Sequence, residues 1–79
     1  MNTIPRPTYD RLLTEAKGKA NALDTDVAIV IWGAKDDGTV NSKIVQCHRR
    51  YTGNDMTNVN KLLDEHKDAE ILEIVGSNA

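Results

Sequence analysis

The first regular pattern along the chain is an apolar stripe between Tyr9 and Leu23. Apolar residues recur there at intervals of three and four, the spacing of one helix face: Tyr9, Leu12, Leu13, Ala16, Ala20 and Leu23. Thr8 can cap the first turn with its side-chain oxygen, and Pro7 then lies just outside the helix. The pattern predicts a first helix over residues 9–22. Gly18 lies off the stripe and weakens this helix by about 1 kcal/mol relative to Ala.

A continuous apolar run follows the polar break at residues 24–26. The segment from Val27 to Trp32 is apolar throughout and mostly β-branched, which is typical of a strand buried on both faces. Residues 33–38 form a turn sequence in which Asp37-Gly38 offers the positive φ angles that a hairpin needs. Residues 39 to about 51 have mixed polarity and predict a second, less buried strand. We therefore expect an antiparallel hairpin.

The last part of the chain predicts a second helix and a third strand. Asn54 or Asp55 can cap a helix over residues 55–66. Its apolar positions are Met56, Val59, Leu62, Leu63 and His66. Residues 69–75 are a short segment rich in Ile and Val. We predict a third strand there, with a helix as the alternative.

The element order α-β-β-α-β predicts an α+β fold. A right-handed crossover through the second helix places the third strand parallel to the second. The apolar first strand then lies at the centre of a three-stranded sheet of order 2-1-3. With two helices on one face, this is a two-layer sandwich whose other sheet face stays uncovered. We expect a single domain over residues 1–79, with an extended segment at 1–7 and a frayed C-terminus at 76–79.

Composition indicates a thin core. The 79-residue chain is 39% hydrophobic, and it contains no Phe, one Trp and two Tyr. A chain of this length buries only about 60% of the surface that its unfolded form exposes. The single cysteine excludes an internal disulfide, so we expect self-association, most simply a homodimer. The cysteine content, the lack of a long apolar run and the N-terminal composition favour a cytoplasmic protein that enters no membrane.

Charge is unevenly divided along the chain, although the net charge is only -2. Residues 1–53 hold eight Lys or Arg against six Asp or Glu, a net +2, and residues 54–79 hold two against six, a net -4. Such a division is usual for solvated faces that keep a protein soluble. It also fits a polarised surface that steers a charged partner.

No residue pattern predicts a catalytic or metal-binding site. Cys47 and His48 are adjacent in a predicted strand and therefore point to opposite faces, while His66 lies far along the chain. A tetrahedral metal site needs three or four convergent ligands. The acidic pairs at positions 36–37 and 64–65 lack an apolar pocket that would raise a pKa. We expect no enzyme activity, no metal and no cofactor.

One local cluster is a candidate binding site. It leads from the second strand into the second helix over residues 48–55, and its polar members include His48, Arg49, Arg50, Tyr51 and Asn54. Lys43, earlier in the same strand, is a further basic candidate for binding nucleic acid. Guanidinium groups and helix N-terminal amides placed there can bind a phosphate or a partner's carboxylate. The alternative is that the two arginines only protect a sheet edge from aggregation.

Trp32 ends the central strand and shares a face with Ala28 and Val30. If a helix covers that face, Trp32 is a core residue. If the face is open, it is an exposed aromatic anchor of the kind that dominates protein interfaces.

These observations favour a small non-enzymatic module that binds a partner protein or a second copy of itself. It would act through the open sheet face, the Arg49-Arg50 segment or both. Small domains of this kind often serve as inhibitors or accessory factors, including those made by phages and other mobile elements. The alternative is binding of nucleic acid or a small anionic nucleotide through Arg49, Arg50, Tyr51 and the start of the second helix. The pI of about 5.5 argues against long duplex contacts.

Overall fold

The computed structural model describes residues 4–47 and 56–77. The elements are α1 (Arg6–Leu23), β1 (Asp26–Trp32), β2 (Asn41–Cys47), α2 (Thr57–Glu65) and β3 (Glu70–Val75). The strands form one sheet of order β2-β1-β3, in which β1 is antiparallel to both neighbours. It follows that β2 and β3 are parallel to each other. The predicted α+β fold, the sheet order and the third strand are confirmed.

The two helices lie on opposite faces of the sheet, so the prediction of two helices on one face is wrong. Alternate residues of β1 separate into two clusters. The α1-side cluster contains Val27, Ile29 and Ile31 with Leu12, Ala16 and Ala20 of α1. The α2-side cluster contains Ala28 and Val30 with Val59 and Leu62 of α2.

The physical reason lies in β1 itself. Its first six residues are buried, with apolar side chains on both faces. A helix on one face alone would leave half of those side chains in water, at a cost of about 1.5–3 kcal/mol for each large one. The fold is therefore a three-layer arrangement, and the predicted uncovered face over β1 does not exist.

Helix α1 begins earlier than its apolar stripe predicts. Pro5 occupies the N-cap position, Arg6 is the first helical residue and Pro7 the second. Proline is tolerated there because N–H groups of the first turn have no helical partner. The Tyr9 N–H donates to the Pro5 carbonyl at 3.0 Å. The expectations of an extended segment through residue 7 and of a Thr8 cap are therefore wrong.

Small residues bring α1 close to β1, and a left-handed residue ends the helix. Ala16 and Ala20 are 0% exposed. Asp24 adopts φ 55° and donates its N–H to the Ala20 carbonyl, a common way to end a helix. Gly18 lies off the packed face, because a Cβ added there would meet nothing within 4 Å.

The connection between β1 and β2 is longer than a two-residue hairpin turn. Gly33 and Gly38 adopt positive φ angles of 66° and 89°, whereas Asp37 does not. Instead, the Asp37 carboxylate accepts hydrogen bonds from the N–H and the hydroxyl of Thr39, at 3.0 and 2.7 Å. The Lys35 N–H donates to the Thr39 carbonyl at 2.9 Å. The antiparallel hairpin is confirmed, but with β2 starting at Asn41.

Helix α2 starts at Thr57, with Met56 at the N-cap position and no side-chain cap hydrogen bond. The predicted cap residues Asn54 and Asp55 lie outside the described residues. Val59 and Leu62 are buried against the sheet, as their spacing predicts. The pairing of β1 with β3 shifts register between Ile29 and Val30, so β3 carries a bulge or irregularity there.

Candidate functional site

A depression of about 420 Å³ follows the outer edge of β2. Within the described residues, β2 has a strand neighbour on one side only. An edge strand directs alternate N–H and C=O groups away from the sheet. The lining, which we call the β2 groove, comes from α1, β2 and α2: Lys19, Leu23, Lys43, Ile44, Val45, Gln46, Asn58, Lys61, Leu62 and Glu65.

The β2 groove is basic. Lys19, Lys43 and Lys61 contribute three positive charges against the one negative charge of Glu65. All three lysines are exposed. A second depression of about 380 Å³ continues along Ser42, Lys43 and Ile44 and adds Glu15 to the lining. The surface beside β2 therefore attracts negative charge over much of the strand's length.

One edge carbonyl in the groove is already held by a side chain. The Lys19 ammonium, on α1, donates a hydrogen bond to the Ile44 carbonyl oxygen at 3.0 Å. Glu15 lies one turn earlier on α1, and its carboxylate is 3.5 Å from the Arg11 guanidinium. Arg11 therefore partly balances the acidic group that lines the second depression.

Trp32 lies in the helix-covered interior, on the α2 side. It packs against the α2-side cluster and is only partly exposed. Its ring stacks on the imidazole of His66, with centroids 4.1 Å apart and an angle of 12° between the planes. Next to it, the Gly33 N–H donates to the Asp68 carboxylate at 2.7 Å. The two contacts join the end of β1 and the residue that follows it to the segment between α2 and β3.

Of the other predicted site residues, Lys43 lies on β2 and lines the groove. The remaining members of the predicted cluster lie outside the described residues: His48, Arg49, Arg50, Tyr51 and Asn54. Their role stays a prediction. In the sequence, His48, Arg49, Arg50 and Tyr51 directly follow Cys47, the last residue of β2.

The described residues contain no group of three His, Cys, Asp or Glu that could hold a metal ion. Cys47 is fully buried, and its carbonyl oxygen accepts a hydrogen bond from the Thr25 hydroxyl at 3.3 Å. The acidic pairs at positions 36–37 and 64–65 are exposed. Hydrogen bonds from Thr39 lower the pKa of Asp37, the direction expected of a carboxylate in a turn rather than of a proton donor.

The Tyr9 hydroxyl donates a hydrogen bond to the Glu73 carboxylate at 3.0 Å. This bond and the negative charge of Glu73 raise the pKa of Tyr9. Because the pair joins α1 to β3, its role is to tie the helix to that edge of the sheet.

Sequence reasoning missed Lys19 and Lys61 as members of the site. Lys19 lies beside the buried Ala20 on α1, and Lys61 lies beside the buried Leu62 on α2. Lysines that flank an apolar stripe lie at the rim of a helix–sheet contact, and that position was the available signal. The signal does not say which strand lies at the rim.

No described helix has the length and apolar character needed to cross a membrane. Comparison of the chain with protein-family models, with curated proteins and with solved structures gives no match.

Proposed function

We propose that the protein is a non-enzymatic binding module that accepts an extended, acidic segment of a partner protein along the outer edge of β2. The observation that carries this proposal is the β2 groove, where an edge strand lies among three lysines. Strand addition of this kind gains affinity from main-chain hydrogen bonds, and pockets for alternate side chains add specificity.

The backbone of β2 supplies the first part of the interaction. The Ile44 carbonyl accepts a hydrogen bond from Lys19, so it is accessible to a donor outside the sheet. An incoming strand can offer its own N–H to this carbonyl. The exchange releases the Lys19 ammonium, which then pairs with an acidic side chain of the incoming strand. The backbone acceptor stays satisfied at each stage, as burial of an edge requires.

Charge and apolar contact supply the second part. Lys19 and Lys61 come from helices on opposite faces of the sheet, so a ligand at the edge meets positive charge on both sides. Apolar surface lies between them, including Leu23, which is 47% exposed. An extended segment that alternates acidic and apolar residues matches this lining.

A phosphate backbone would also be attracted to these lysines. Non-specific binding of single-stranded nucleic acid usually adds aromatic stacking. Among the described residues, the linings of the β2 groove and of the second depression contain no aromatic side chain, and each includes one acidic group, Glu65 and Glu15 respectively. The groove therefore favours a protein segment, and nucleic-acid binding is the competing outcome of the test.

The test uses a short fluorescent peptide of alternating Glu and Val and measures its binding by anisotropy. Lys43→Glu should weaken binding about fivefold, because replacing an exposed attraction by a repulsion changes the binding energy by roughly 1 kcal/mol. Lys17→Glu is the matched control: Lys17 is an exposed lysine of α1 that does not line the groove. The Lys17→Glu variant should retain most of its affinity for the peptide.

Two ligand controls test the mode of binding. The same peptide with N-methylated backbone amides should bind weakly, because it lacks donors for the strand edge. A single-stranded oligonucleotide should not compete. Preferential binding of the oligonucleotide, or equal binding of the N-methylated peptide, would refute the proposal.

The prediction that Arg49 and Arg50 belong to the binding surface is tested in the same assay. The double change Arg49→Ala with Arg50→Ala should lower affinity at least tenfold if both form charge-assisted contacts of about 1.5–3 kcal/mol each. Unchanged binding by a folded variant would show that the two arginines act only as edge protection.

A further inference from the structure

We infer that a second copy of this chain supplies the strand that the β2 groove binds: the outer edge of β3 in one copy pairs with the outer edge of β2 in the next. This inference rests on the proposed function, because it uses the same groove and names its occupant. The supporting observations are the position, the exposure and the charge of β3.

The edge of β3 has the chemistry that the groove requires. β3 lies at the opposite end of the sheet from β2, with β1 as its only strand neighbour among the described residues. Glu70, Ile71 and Glu73 are exposed along this strand. Ile71 is 37% exposed, one of two large apolar side chains with such exposure in the described chain. The strand is thus extended and acidic, and it presents apolar surface.

The two sheet edges carry opposite charge. Lysines line the edge of β2, and glutamates lie on β3. Two β2 edges would bring lysines together, and two β3 edges would bring glutamates together, so like edges repel each other. A β2 edge beside a β3 edge brings opposite charges together. Charge on an edge strand normally prevents pairing between copies. Here the two edges carry opposite charges, so a β2 edge can still pair with a β3 edge.

The side-chain register supports the same pairing. Glu70 and Glu73 are cross-strand neighbours of Ile31 and Ile29, on the α1 side of the sheet. Lys19 reaches the edge of β2 from α1, also on that side. If successive copies keep α1 on the same side, the two glutamates of one copy lie beside Lys19 of the next. Opposite charges then meet across the new strand pair.

This contact is heterologous, because the two participating surfaces differ. A pair of copies retains one unused β2 edge and one unused β3 edge. Further copies can therefore add at both ends, and the average mass should rise with protein concentration instead of stopping at a dimer. The association should also weaken as salt concentration rises, because salt screens exposed charges.

The experiment is sedimentation equilibrium of the full chain at several protein and salt concentrations. The basic-edge variant combines Lys19→Glu with Lys43→Glu, and the acidic-edge variant combines Glu70→Lys with Glu73→Lys. Because Glu73 also accepts the Tyr9 hydroxyl bond that ties α1 to β3, Tyr9→Phe is the control for loss of that bond. Each variant alone should associate at least about tenfold more weakly than the original chain. An equimolar mixture of the two variants should associate again. In the mixture, the β2 edge of each variant carries the charge opposite to that of the β3 edge of the other variant. A control variant combines Lys17→Glu with Lys67→Glu, two exposed lysines that line neither depression, and it should associate normally.

Circular dichroism identifies any variant that fails to fold, and the neutral replacements Lys43→Gln and Glu70→Gln then serve in its place. The inference is overturned by a concentration-independent monomer, by a mass that stops at a dimer, or by stronger association of either single-edge variant. Binding of the alternating Glu–Val peptide by a chain that stays monomeric would overturn the inference alone and leave the proposed function intact. If the original chain neither binds the peptide nor associates with itself, both the proposed function and the inference are overturned.

Discussion

Double-mutant cycles on Ile29 test whether the helices pack on opposite faces. Ile29 and Leu12 belong to the α1-side cluster, whereas Val59 belongs to the α2-side cluster. Ile29 and Val59 are both 0% exposed, so truncation of either removes a fully buried group. With a helix on each face, Ile29 is coupled to Leu12 and independent of Val59.

The magnitudes follow from the groups removed. Ile29→Val deletes one buried methyl group and should lower the unfolding free energy by about 0.5–1.5 kcal/mol. Val59→Ala deletes two buried methyl groups, each worth about 0.8 kcal/mol, and leaves a cavity. It should lower the unfolding free energy by about 2 kcal/mol in total. Leu12→Ala should cost about 2–5 kcal/mol. The Ile29–Val59 pair should be additive within about 0.5 kcal/mol, and the Ile29–Leu12 pair should show a coupling of about 0.5–3 kcal/mol.

The assay is urea unfolding followed by far-ultraviolet circular dichroism, with free energies obtained by linear extrapolation. All variants are compared at one protein concentration, because self-association would add to apparent stability. A coupling energy well above 0.5 kcal/mol between Ile29 and Val59 would refute the opposite-face packing. Strict additivity between Ile29 and Leu12 would refute their shared cluster.

Three further predictions follow from individual contacts. Gly18→Ala should raise the unfolding free energy by about 1 kcal/mol, since the position is exposed, helical and open to a Cβ; urea unfolding measures it. His66→Ala should lower the unfolding free energy by about 0.5–1.5 kcal/mol, because it removes the ring that stacks on Trp32. His66→Phe keeps an aromatic ring there and should retain most of that stabilisation. Thr39 lowers the pKa of Asp37 in the folded state. The resulting stabilisation is present above the ordinary Asp pKa of about 3.9 and is lost as pH falls through the lower folded-state value. An NMR titration of the Asp37 carboxyl checks this, and an unshifted midpoint would contradict it.

Local patterns along the sequence determined most of the secondary structure. The three- and four-residue spacing predicted both helices, and the doubly apolar run of β1 predicted its central place in the sheet. Element boundaries were less accurate, because Pro7 can stand either outside a helix or in its first turn. The turn at Asp37 was also misassigned, since the same carboxylate favours several turn geometries.

Only the tertiary structure decided which face each helix covers. An amphipathic helix has the same apolar stripe whichever face it meets, so its pattern cannot choose between them. The apolar run of β1 already indicated that both of its faces need cover, but it did not indicate which helix covers which face. The β2 groove follows from that choice, because Lys19 and Lys61 belong to helices far apart in the chain. They lie at one strand edge only because the helices pack on opposite sides of the strand, and long-range packing of this kind has no local sequence signal.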